Sequence, residues 1–221
     1  MARRNVAAVS NSRAVYNSIR QKGVISTPSY LRLEKTLGTQ SNLQFSVLQN
    51  EGSANVTEKR LSISDTFTVT GIGVFLGHHG SSDDVSEMAL HTYPNSAVFG
   101  TAKVDELQVF YNGFLSIRIN QTVFLDSYDT QRHYAVGSAQ EGVAISSNAT
   151  VNLYQKSTWE GGNYGFQAVT PTLTLSGAAK NDVQLTFPSS RDMTPTSGTS
   201  FGVVIFRGFL NQNAAKFNAK F

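Results

Sequence analysis

The sequence predicts an all-β chain: an antiparallel β-sandwich of jelly-roll type behind an N-terminal helical arm. Three observations carry that expectation. About a dozen short runs rich in Val, Ile, Phe, Tyr and Thr are separated by loops of Gly, Ser, Asn and Pro. Two of these runs, 67–76 and 201–210, are apolar at successive positions and far apart in the chain, as expected of central strands covered on both faces. Residues 107–126, LQVFYNGFLSIRINQTVFLD, alternate apolar and polar positions around Asn112-Gly113, a dipeptide suited to a type I′ hairpin turn.

In chain order, residues 4–22 read as a helix. Val6, Val9, Tyr16 and Ile19 form a thin stripe, and Gly23 offers a C-cap. Such a helix needs a surface to lie on. Strands are expected at 30–37, 43–49, 59–63, 67–78, 107–111, 114–125 and 132–136, then at 149–156, 164–169, 172–175, 182–187 and 201–210. A small helix fits 83–90, where acids open the segment. The runs 67–76 and 201–210 are expected to pair near the centre of one sheet. Gly71, Gly73, Gly202 and Gly208 inside them predict bulges or close backbone approach. The resulting division is a basic helical arm at 1–23, a sandwich at 24–210 and a tail at 211–221. A single roll is expected for the sandwich, with two compact rolls as the alternative.

Charged residues make up only 15% of the chain, which argues against a solvated disordered polymer and suggests surface buried against partners. There is no Cys, so neither disulfides nor thiolate metal sites are expected. No apolar run reaches the length of a transmembrane helix, and no secretory signal is expected. The N-x-T sequons at Asn55, Asn120 and Asn148 are then read as chance. The charge is unevenly placed: residues 1–23 carry Arg3, Arg4, Arg13, Arg20 and Lys22 and no acid. The tail adds Lys216 and Lys220, and the body between is net acidic.

Several strings resemble the jelly-roll capsid proteins of tailless icosahedral bacteriophages, with the flavobacterial phages the nearest group. They are the basic N-terminal helix, LSISDTFTVTGIGVFL at 61–76, TYPNSAVF at 92–99, YNGFLSIRIN at 111–120 and RHYAVG at 132–137. The resemblance spans roughly residues 58–140 and is one of pattern. Proteins of that class usually stack two jelly rolls and are longer. The resemblance implies a structural subunit of an icosahedral capsid, located in the virion and acting through interfaces with its own copies and other capsid proteins. It implies no enzyme activity and no cofactor.

Other constellations could carry chemistry. His78, His79, Asp83 and Asp84 could ligate a divalent cation, but adjacent strand residues point to opposite faces, and a solvated loop is the preferred reading. His91 and His133 read as surface or hydrogen-bonded histidines. Asp105, Glu106, Asp126 and Asp129 could supply a glycosidase pair, although turns collect aspartates in any case. No P-loop, nucleophile elbow or H-E-x-x-H is present. Trp159 and Tyr164 could form a ligand loop in a carbohydrate- or receptor-binding module, against the plainer expectation of a Trp plugging the core. Three partners suit the basic arm: an anionic membrane, a neighbouring subunit and, ranked below them, packaged nucleic acid. Phe217 and Phe221 are expected to make tail contacts.

Overall fold

The computed structural model describes residues 24–136 and 165–216, together with Arg13, Tyr16 and Asn17. Among these residues nine strands form two antiparallel sheets. They are β1 (Ile25–Thr36), β2 (Thr39–Phe45), β3 (Thr66–His79), β4 (Ala89–His91), β5 (Phe114–Ile119), β6 (Thr122–Asp129), β7 (Phe166–Ser176), β8 (Asn181–Asp192) and β9 (Thr199–Gln212). The first sheet runs β1-β9-β3, with β7 and β4 both paired to β3. The second runs β2-β8-β5-β6. Four of the pairings are nested: β1 with β9, β2 with β8, β3 with β7, and β5 with β6. β3–β9 and β5–β8 pairings then stitch each sheet together.

The sheets form because alternate residues have one place to go. In β5, Leu115, Ile117 and Ile119 are buried while Phe114 and Arg118 are exposed. In β8, Val183, Leu185 and Phe187 point inward. Facing them across the sandwich are Leu31 and Leu33 of β1, Ile72, Val74 and Leu76 of β3, and Val204 and Phe206 of β9. One main core therefore fills the space between the sheets.

The expected pairing of the two long runs is present. β3 and β9 pair antiparallel from Thr66↔Asn211 to His79↔Thr199, with a register shift between Val69 and Gly71. At Gly208 a Cβ would collide with the Thr68 carbonyl, which is the close approach its lack of a side chain permits. A second apolar cluster lies on the outer face of the first sheet, where Phe75, Phe201 and Val203 pack with Met88 and Phe166. Gly73 makes room for it: a Cβ there would sit 2.5 Å from the Phe75 ring.

Several expectations are corrected. Asn112-Gly113 is not a hairpin turn. Val104–Gln108 is helical, and the chain continues in tight turns, with Phe110, Tyr111 and Asn112 donating to carbonyls three residues back. Leu107, Phe110 and Tyr111 are all fully buried, a helical spacing that the alternation of 107–111 concealed. The actual hairpin turn is Asn120-Gln121, with φ of 48° and 73°, and it divides the expected 114–125 run into β5 and β6. Residues 132–136 form no strand, because Gln131–His133 is a 3-10 turn. In 59–63 only isolated bridges occur, at Lys59 and Leu61. The small helix at 83–90 shrinks to a 3-10 turn, Val85–Glu87, closed by an Asp84/Glu87 capping box. The runs 164–169 and 172–175 fuse into β7, with the irregularity around Thr170-Pro171 taken up opposite Val69–Gly71. β9 continues to Gln212, and the turn after it is tied back by Ala215 N donating to Ser64 O. The strand expected at 149–156 lies outside the described residues.

Candidate functional surfaces

β3 separates the two histidines at its end, as the strand period requires. His78 faces inward, is buried, and shares a 3.2 Å hydrogen bond between Nδ1 and Ser200 Oγ. His79 faces outward and stacks on Phe201, its Nδ1 donating to Gly80 O. Asp83 accepts from Gly80 N, and Asp84 accepts from Ser86 N, so both carboxylates serve the local turn. Among the described residues no group of three or more His, Cys, Asp or Glu side chains is placed to hold a metal.

The four carboxylates weighed as a glycosidase pair do not converge. Asp105 and Glu106 border an open groove of about 360 Å³, with Gln108, Asn112, Ser189 and Arg191 among its other walls. Arg191 Nε lies 3.8 Å from Glu106 Oε2. Asp126 and Asp129 stand on β6 and do not line that groove, and Asp129 accepts from Gln131 N at the start of the 3-10 turn.

His91 and His133 are not surface residues. His91 lies on β4 opposite Leu76, so it shares the inner face with His78, one step away on the diagonal. Both rings meet Phe99 edge-on, with centroids 5.4 Å and 5.5 Å away. Burial pushes the His91 imidazole down from 6.5 to about 4, and repulsion from His78 acts in the same direction. His78 is lowered first by burial and then by His79, while Asp83 opposes. His133 is fully buried and donates from Nδ1 to Gly165 O at 2.9 Å. Burial lowers its pKa too, and the Gly165 hydrogen bond partly offsets this.

Of the arm residues, Arg13, Tyr16 and Asn17 are helical, and Arg13 is exposed. The Tyr16 ring lies 5.7 Å from Phe209 on the outer face of the first sheet. Arg3, Arg4, Arg20, Lys22, Phe217, Phe221, Trp159 and Tyr164 lie outside the described residues. The ends of the stretch that holds Trp159 and Tyr164 meet at one point. Besides the His133–Gly165 bond, Gln167 Nε2 donates to Arg132 O.

The remaining surfaces differ in character. The outer face of the second sheet carries Asn42, Gln44, Ser116, Gln184 and Thr186, with charge from Arg118, Asp182 and, opposite Phe114, Asp129 of β6. Its edge strand β6 exposes Val123 and Phe124, at 47% and 48%. β1 exposes Ile25 and Tyr30, with Lys59 Nζ 4.6 Å from the Tyr30 ring. A strap formed by residues 46–61 crosses β1 through a buried ionic network. Glu58 accepts from Glu34 N, Asn55 N and Arg60, while Glu34 binds Arg32 at 2.6 Å.

No described helix is long and apolar enough to cross a membrane. No protein-family model, curated protein or solved structure matches the chain.

Proposed function

We propose that the chain is a structural subunit of an icosahedral virus shell, built as a single jelly roll. The observation that carries this reading is the nested pairing of strands: first with last, second with next to last, and inward to β5–β6. A long two-stranded ribbon rolled on itself has that order, and rolled ribbons serve as capsid and lectin domains. On this count β4 is an addition inside the β3–β5 connection.

Fold alone does not choose a function, so the surfaces matter. A sandwich that stays alone guards its edge strands with charge. Here the charge is sparse, Asp126 and Asp129 on β6 and Lys35 on β1, and it leaves Val123, Phe124, Ile25 and Tyr30 exposed on the same two strands. Such surfaces suit neighbours of the same kind arranged by closed symmetry. The basic stretch with Arg3, Arg4, Arg13, Arg20 and Lys22 is assigned to partner contact, as are Phe217 and Phe221.

Light scattering and electron microscopy of the full-length chain test this. Closed particles, or rings that grow with concentration, are expected. A strict monomer at every concentration, never incorporated into particles, would reject it. A carbohydrate-binding sandwich is the second reading, favoured by the groove of Asp105, Glu106, Gln108, Asn112 and Arg191, whose side chains can bond sugar hydroxyls. Glycan binding lost in Asp105→Ala would move the assignment there.

A further inference from the structure

We propose that His78 and His91 form an acid-sensitive latch that holds β4 and the chain after it to the sandwich. Both rings are buried on the inner face, on neighbouring strands, and both rest against fully buried Phe99. Phe99 ends the short helix Ser96–Phe99, so the three rings join β3, β4 and that helix in one contact. β4 is short: it pairs with β3 at only Leu76↔His91, Gly77↔Leu90 and His78↔Ala89, and its further ties are Leu90 against the outer apolar cluster and the Tyr111 hydroxyl on the His91 carbonyl. The opposite edge of β3 is held by β9 along its whole length.

The groups around the pair make the neutral form the one that fits. From β9 come Ser200, which bonds His78, and Phe201, which lies on the other face. Tyr111 donates its hydroxyl to the His91 carbonyl, not to the ring. Lys103, beyond the helix, is engaged by Asp192 at 2.7 Å. His79 works against a charge on His78, and Asp83 is the carboxylate acting on that ring. Asp83 favours protonation of His78, and a charged His78 then opposes charge on His91. Two imidazolium rings around a phenyl ring in a dry site repel each other and lose hydration. The contact relieved at least cost is β4, together with the chain from 89 to 103. Nothing in this step requires a partner, so it stands apart from the shell assignment.

Hydrogen exchange read by mass spectrometry tests the latch on the full-length protein at about pH 7 and about pH 4.5, with intrinsic rates corrected. Peptides covering 89–103 are expected to lose about tenfold or more in protection in acid, while β8 and β9 keep theirs. In His78→Asn/His91→Gln the difference between the two pH values should largely vanish. Should that variant not fold, His91→Gln alone serves, with a halved response expected. A uniform loss across all strands, no loss in 89–103, or an undiminished loss in the variants would each overturn the proposal. So would proton-resonance titration placing both rings at the ordinary histidine value.

Discussion

Gly113 is required by close packing and not by the hairpin turn expected at Asn112-Gly113. Its φ is not positive, so a side chain there would not be strained by the turn itself. A Cβ would instead stand 2.5 Å from the Thr186 carbonyl oxygen on β8, and backbone cannot step aside cheaply. Gly113→Ala is therefore expected to destabilise by about 1–3 kcal/mol in urea unfolding, and Gly113→Val by more. Gln121 presents the opposite case: a non-glycine residue held at φ 73° in the hairpin. Gln121→Gly should leave stability unchanged or raise it by about 1 kcal/mol, read in the same experiment. Alternation identified β5 correctly, because its face assignment depends only on period two. It failed for 107–111, where Val109 and Phe110 are both buried and the apolar set fits two periods equally well. The histidines were legible as residues, but their burial was not: position on β4 against Leu76 is a matter of pairing between distant segments.

At the level of elements, two contacts carry predictions. The strap across β1 depends on Glu58, whose carboxylate accepts from two backbone amides and from Arg60, with both side chains almost fully buried. Glu58→Ala leaves the Arg60 guanidinium buried with part of its pairing lost, and a cost of about 3–5 kcal/mol is expected from chemical denaturation. The thin apolar stripe of residues 4–22 argues that the arm is dispensable for folding. Tyr16 against Phe209 qualifies that. A chain starting at Gly23 should keep a β-rich circular dichroism spectrum and a cooperative melt, but at a lower Tm, since Phe209 loses its cover. Tyr16→Ala in the full chain should reproduce most of that decrease, and an unchanged Tm in both would mean the ring contact adds nothing. Outright unfolding of the shortened chain would make the helix part of the core.

For the molecule as a whole, the buried histidines give stability a definite pH dependence. Burial pushes the folded His91 imidazole down to about 4 against 6.5 for an unhindered imidazole, so the unfolded chain binds more protons between those values. Stability is then full above about 6.5 and falls as pH drops toward about 4, by about 3 kcal/mol from this residue alone. His78 and His133 are shifted in the same direction and add to the loss. Thermal melts across that range should show Tm falling with acid, and His91→Gln should flatten the curve; a flat wild-type profile would contradict the burial. The sequence by itself determined the β-rich class, the central pairing of 67–76 with 201–210, the glycines at their crossings and the inward residues of β5. All of these follow from local period and residue shape. Only the tertiary structure decided the rest: where the hairpin turns, that β7 is one strand, that 46–61 straps β1, and that His78 and His91 meet at Phe99. Those features depend on which distant segments share a face, and a pattern of period two records a face without naming its partner.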